Sequence, residues 1–296
     1  TYKELEFSND QWWEIIDTAH KKYQGVWLDI FDIFGVKILN DNLKKITGIK
    51  LQASVLGNYE VISLLKNLCL VDKILMINIS GYEISEIENI LNQISVINVR
   101  KLVFQIGFQS YPTEIEDTAF GKIKILKSEF PLYSICIADH MSAIDDMSEI
   151  IPLMGVAAGC HYVEKHICID RKSAKYDYQS ALEFNEFQLM ASRLAVSPKI
   201  MEGRFISKSE NTYLANSIQI PITIKQITKG TLISKSDVVY RRTGQDGIAY
   251  NEIMGQQKKY QILSSNVGEG KTLNKSNFKP ARIGVIVACR MKSSRL

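Results

Sequence analysis

The sequence predicts an α/β protein: a (β/α) barrel of the TIM type that lacks its first strands in this chain, followed by a small β-rich domain. Three observations carry that expectation. Six short apolar runs alternate with amphipathic stretches over roughly the first 190 residues, the rhythm of parallel strands joined by helical crossovers. Within several runs one face is branched aliphatic and the other mixes small and polar groups. After residue 207 helix-period patterning gives way to short β-like runs and turns. An open doubly wound sheet satisfies the same strand count. The polar second face favours the barrel, because it suits a barrel mouth better than a sheet covered by helices on both sides.

Taken in order, Ser8, Asn9, Asp10 and Gln11 open a helix with a capping-box pattern, and Trp12, Ile15 and Ile16 are expected on its buried face. The strand-like runs are VWLDIF at 26–31, GIKLQAS at 48–54, KILMINIS at 73–80, KLVFQIG at 101–107, SICIADH at 134–140 and HYVEKHI at 161–167. Between the third and fourth, Ile84, Ile87, Leu91 and Ile94 recur at helical spacing. The two-faced pattern pairs Lys50 with Gln52, Asn78 with Ser80, Gln105 with Gly107, and Glu164 with His166; Ser134, Cys136, Ala138 and His140 continue it. A last helix is expected around Glu183–Leu194, closing a partial barrel over 1–194, and 195–207 reads as a linker. Within 208–280, GTLISKSDV at 230–238 and GKTLNKSNF at 270–278 resemble each other, which suggests a pseudo-symmetric domain. Residues 281–296 start afresh with an apolar run and an Arg- and Ser-rich turn, as nucleotide-binding α/β domains often open. Both ends read as cuts through something longer.

Composition narrows the function. The chain has 296 residues, 46% hydrophobic and 23% charged, with a net charge of only +4 and no basic run interleaved with aromatics. Nucleic-acid binding is therefore not expected. No uninterrupted apolar window approaches the ~18 residues of a membrane helix, and no signal-peptide pattern opens the chain. Cys69, Cys136, Cys160, Cys168 and Cys289 are scattered without a C-x-x-C pair, so reduced thiols and a cytoplasmic location are expected.

The chemistry concentrates in HYVEKHICIDR, residues 161–171. A carboxylate and an imidazole on one strand face are costly to bury without partners. His140 and His166 would end neighbouring strands at the rim where barrel active sites sit. Two imidazoles there can hold a divalent metal and leave positions open for water or substrate. His161 starts its strand at the far end and His20 lies on a surface helix, so neither is a candidate. Asp139 and Asp177 could hold the imidazoles or meet substrate hydroxyls. Lys50, inward on its strand, could neutralise a phosphate or carboxylate, and Tyr111 follows another strand end, where its hydroxyl could position a ligand.

These motifs, taken as an ordered set, resemble the sialic acid synthase family. EKHICIDR, preceded by GVAAGCHYV and followed by Asp177 and ALEFNEF, looks like the end of that family's barrel; ADH at 138–140 and SYPT at 110–113 match its other strand-end motifs. Residues 208–280, including YRRTG around Arg242, are similar to its antifreeze-like (SAF) domain, and 281–296 to the start of a cytidylyltransferase. The family condenses phosphoenolpyruvate with an N-acetylated amino sugar, such as N-acetylmannosamine, releasing a nonulosonic acid and phosphate. The resemblance implies that His140 and His166 are ligands of Mn²⁺ or Mg²⁺ and catalytic. It also implies that Lys50 is catalytic and binds the phosphoenolpyruvate phosphate, that Tyr111 and Asp177 contact the sugar, and that Arg242 reaches the active site of the partner in a domain-swapped homodimer. Two strands, with a catalytic glutamate and a second lysine, are expected ahead of residue 1, so the fragment alone is expected to be inactive.

The chain also departs from the family pattern. Ala53 and Ala138 stand where phosphate-binding hydroxyls are expected, Ile79 falls at another unless a one-residue slip puts Ser80 or Asn78 there, and Val55 replaces a substrate-contacting glutamate. Ala174 and Lys175 replace a Pro-Gly pair, and Thr243 a proline. Legionaminic or pseudaminic acid synthesis is the rival within this chemistry. A non-catalytic sugar-binding scaffold beside a cytidylyltransferase is the rival outside it.

Overall fold

The computed structural model describes residues 6–107, 110–282 and 284, and the chain divides into two compact units, Thr1–Glu202 and Gly203–Leu296. The onset of a nucleotide-binding domain expected at 281–296 lies almost wholly outside the described residues. No helix among those described is long and apolar enough to cross a membrane.

In the first unit six strands, β1 (Trp27–Ile30), β2 (Gly48–Leu51), β3 (Ile74–Asn78), β4 (Lys101–Ile106), β5 (Ser134–Asp139) and β6 (Tyr162–Lys165), form one parallel sheet whose spatial order is the chain order. A doubly wound sheet reverses its order at a switch point. No reversal occurs here, and the sheet is a half barrel in which β1 and β6 each pair on one side only among the described residues.

The two faces expected from the sequence are both present, and they differ chemically. Ile49, Leu51, Leu75, Ile77, Phe104, Ile106, Ile135 and Ile137 point into the main core, under helices that include α2 (Ile33–Asp41), α3 (Tyr59–Lys66) and α4 (Ile84–Ile94). The concave face is layered. Its floor is apolar: Ile74, Met76, Val103 and Cys136, with Trp27 and Tyr162 packed against them. Gly48 belongs to that floor because a Cβ there would lie 2.4 Å from the Trp27 ring. Above the floor come Asp29, Lys50, Gln52, Asn78, Gln105 and Glu164. Ile79 is 4% exposed and packs in the helix-side core, so Asn78 and Ser80, not Ile79, share the polar face.

Helix α1 (Asn9–Lys22) starts as expected. Ser8 Oγ accepts from the Gln11 N–H, and the Gln11 side chain accepts from the Ser8 N–H at 2.8 Å. Its buried face is narrower than expected: Ile16 is buried and Trp12 partly so, whereas Ile15 is exposed. α5 (Gly121–Glu129) and α6 (Ile151–Ala158) precede the last helix of the unit, α7, which runs from Phe184 to Met201. It therefore takes in half of the segment expected to be a linker. Pro198 should break it by removing an N–H and crowding the carbonyl of Leu194. Ser197 Oγ donates to that carbonyl at 2.7 Å, which replaces the missing bond and lets one more turn form.

The second unit holds α8 (Lys208–Ser217), β7 (Gln219–Thr223), β8 (Val238–Arg242), α9 (Tyr250–Lys258), β9 (Gln261–Leu263) and β10 (Phe278–Pro280). β7 pairs with β8 and β9 with β10, both antiparallel. The two similar segments do form a pseudo-twofold. Ile227 and Val267 exchange both backbone hydrogen bonds at its centre, and the bonds around them match in pairs: Thr223 N–H to Lys271 with Leu263 N–H to Thr231, and Ile224 N–H to Asp237 with Ser264 N–H to Asn277. In each copy the Lys-Ser-Asp/Asn turn is a 3-10 turn closed by its own capping box, Ser234 with Asp237 and Asn274 with Asn277. Ile227, Ile233, Ile248, Ile253, Leu263, Val267 and Leu273 form its core.

Candidate active site

The strand ends of β5 and β6 bring His140 and His166 together, with ring centres 5.1 Å apart. Tyr111 closes the group edge-on, 4.8 Å from His140 and 5.3 Å from His166. Backbone hydrogen bonds hold these loops in place. The Thr113 N–H and the Ser180 hydroxyl both donate to the His140 carbonyl, at 2.9 and 2.5 Å. The Leu182 N–H donates to the His166 carbonyl at 2.9 Å. Arg171 secures the loop after β6: its Nε donates to the Ala181 carbonyl at 3.2 Å and its guanidinium pairs with Glu186 on α7. On that loop Asp177, in the left-handed region at φ +51°, sets a carboxylate oxygen 3.9 Å from His166 Nδ1.

His140 is 2% exposed, whereas His166 keeps part of its ring open. Burial lowers the His166 pKa below its usual value, with Asp177 and Glu164 acting the other way. A neutral imidazole results near pH 7, the form that binds metals. Among the described residues no group of three His, Cys, Asp or Glu side chains could hold a metal. Two imidazoles alone would leave most positions of an ion to water or ligand.

Asp139, considered as a partner for an imidazole, is used elsewhere. Its carboxylate takes the Lys165 ammonium at 2.8 Å and the Met141 N–H at 2.9 Å, on the helix side of the sheet, with both side chains no more than 2% exposed. That is a structural pair. His161 lies at the other end of β6, its Nδ1 facing the Ile135 N–H at 3.4 Å, and His20 is exposed on α1; both stand apart from the site as expected.

Lower on the concave face Lys50 is not free. Its ammonium lies 2.6 Å from Glu164 and 3.1 Å from Asp29. Gln105 donates to the second Glu164 oxygen at 2.9 Å, and Gln52 donates to Asp29 at 2.6 Å. Burial alone would lower the Lys50 pKa, but Glu164 and Asp29 together outweigh it and raise it. Burial raises the Asp29 carboxyl, against the pull of Lys50. Glu164, expected from the sequence only to share a strand face with His166, is the main partner of Lys50. Asp29 was missed. Its signal was there, an acid inside VWLDIF at the parity of the concave face. Ala138 has a packing role: a Cβ on Gly107 would meet its carbonyl at 2.2 Å, so these strand ends touch through their smallest residues. Arg242 lies at the end of β8 in the second unit, exposed.

A half barrel of parallel strands with imidazoles, a tyrosine and a carboxylate converging on their C-terminal ends defines a class, the β/α-barrel proteins that work at that rim. The chain belongs to the NeuB family, whose model matches residues 1–204. It is 27% identical to a pseudaminic acid synthase of Campylobacter jejuni over 60% of this chain and 50% of that protein. It is 24% identical to an N,N'-diacetyllegionaminic acid synthase of the same organism over 76% of this chain and 66% of that one. The chain thus spans half to two thirds of these relatives. Its fold is shared with the N-acetylneuraminic acid synthetase of Leptospira borgpetersenii, with a TM-score of 0.61, 21% identity, and coverage of 71% of this chain and 70% of the other.

Proposed function

We propose that this chain belongs to a synthase that condenses phosphoenolpyruvate with an N-acetylated amino sugar, N-acetylmannosamine or a relative, to give a nonulosonic acid and phosphate. The observation that carries the reading is the convergence of His140, His166 and Tyr111 at the strand ends, within 5.3 Å of one another, in a chain of the NeuB family. His140 and His166 would hold Mn²⁺ or Mg²⁺; when bound, the ion supplies Lewis-acid polarisation of the sugar aldehyde. An open site with two nitrogen donors suits an octahedral ion that keeps water or substrate oxygens.

The chain's own residues account for the rest. Tyr111 packs on both imidazoles and limits the directions from which a ligand can reach them, and Asp177 presents a carboxylate to sugar hydroxyls at the open side of His166. Lys50 supplies the positive charge that a phosphate needs, and Glu164 with Gln105 fixes its ammonium. The pseudo-twofold of the second unit supports its reading as an antifreeze-like domain. Arg242 on exposed β8 is the residue it would offer to a partner in a domain-swapped homodimer, in the cytoplasm. The pseudaminic and legionaminic acid synthases among the relatives favour those two products as alternatives to N-acetylneuraminate. The non-catalytic alternative draws its support from Lys50, already matched by two carboxylates.

The test is phosphate release from phosphoenolpyruvate by the complete protein with Mn²⁺ and a panel of N-acetylated amino sugars. Release with one acceptor, lost together with bound metal in His166→Ala, is the expected result. A folded protein that releases nothing with any acceptor would overturn the reading.

A further inference from the structure

The contacts of Lys50 carry a consequence for anion binding that rests on the synthase reading. Two carboxylates and one ammonium leave the cluster with one net negative charge before any ligand arrives. The carboxylates are not equally committed. Glu164 is held through both oxygens, one on Lys50 at 2.6 Å and the other on Gln105 at 2.9 Å. Asp29 makes both contacts through Oδ2 alone, the longer one to Lys50 at 3.1 Å. It stands on β1, which pairs on one side only among the described residues. Gln52 at 2.6 Å is a neutral partner that can keep Asp29 when the lysine is taken.

We propose that Asp29 is an affinity-setting residue that occupies the anion position on Lys50, so that the phosphate of phosphoenolpyruvate binds only by displacing it, while Glu164 stays as the fixed support of the ammonium. Asp29 thereby sets a threshold. A phosphate carried by a molecule with further contacts at the rim can displace the aspartate, whereas inorganic phosphate, which has only Lys50 to gain, is held weakly. The burial that raises the Asp29 carboxyl agrees with a carboxylate held at a cost.

The test is calorimetric titration of phosphoenolpyruvate, and separately of inorganic phosphate, into the complete protein at one pH, comparing wild type, Asp29→Asn, Asp29→Ser and the Asp29→Asn/Lys50→Met double variant. Both anions are expected to bind Asp29→Asn at least about tenfold more tightly than wild type, each factor of ten being about 1.4 kcal/mol, and the gain should vanish in the double variant. Equal or weaker binding by folded Asp29→Asn overturns the proposal, as does a gain that survives the loss of Lys50 or the absence of binding by every variant. Should Asp29→Asn fail to fold, Asp29→Ser carries the same expectation. The synthase reading fails differently: tighter anion binding by Asp29→Asn with no phosphate release for any acceptor would keep the role of Asp29 and remove the enzyme.

Discussion

Removing the carboxylate of Asp139 should destabilise the first unit severely, although the residue adjoins the site. The Lys165 ammonium, 1% exposed, has Asp139 at 2.8 Å and otherwise the Met141 carbonyl at 3.4 Å. Asp139→Leu leaves that ammonium buried with one long contact and strips the Met141 N–H of its acceptor. Breaking one side of a buried pair costs about 3–5 kcal/mol. Lys165→Met should cost somewhat less, because the carboxylate keeps the Met141 N–H. The double variant should recover most of that loss, because the desolvation penalty goes with the pair, and should stay about 1–3 kcal/mol below wild type for the Met141 N–H left without its acceptor. Urea unfolding followed by tryptophan fluorescence is a suitable assay, because Trp12, Trp13 and Trp27 all lie in the first unit. A loss below about 1 kcal/mol for Asp139→Leu, or a double variant as unstable as the two singles summed, would refute the reasoning.

Further outcomes follow from the packing. Gly48→Ala should lose about 1–3 kcal/mol and shift the tryptophan emission, since the new methyl meets the Trp27 ring at 2.4 Å; an unchanged melting curve would show that the barrel floor is looser than described. Phe104→Ala should cost about 3–5 kcal/mol, because this ring is wholly buried and stacks on Tyr133 at 4.6 Å and edge-on to Phe130 at 5.4 Å; a thermal melt measures it. Burial pushes the Cys136 thiol up to about 12 and the Cys160 thiol to about 11. Iodoacetamide at pH 8 should therefore label exposed Cys69 long before either, as read by peptide mass spectrometry. Equal labelling of Cys136 in the native protein would contradict its burial.

The strands were legible because their signal is local. Alternation of aliphatic and polar positions sets which face each side chain takes, and a neighbour cannot reverse it without moving the whole strand. That is why the pairing of Asn78 with Ser80, or of Gln105 with Gly107, could be read directly. The end of α7 was not legible in the same way. Pro198 is a stop signal by itself, and the compensating bond from Ser197 to the Leu194 carbonyl exists only once the helix has formed. Ile15 fell on the expected apolar side of α1 but is exposed, because helical spacing does not say how much of an apolar stripe the neighbouring elements cover.

For the site, the inventory and the parity are readable along the chain: His140 and His166 at the ends of successive strands, Tyr111 after another, and Lys50 and Glu164 on the concave face. The partners come from the packing of the strands in space. Lys50 and Glu164 are 114 residues apart and meet at 2.6 Å, with Asp29 joining from a third strand, whereas Asp139, next to His140 in the chain, faces Lys165 across the other side of the sheet. Charge pairing depends on distance through space, which strand order and twist set. A list of residue types along a chain contains the groups but not which carboxylate a given ammonium will find.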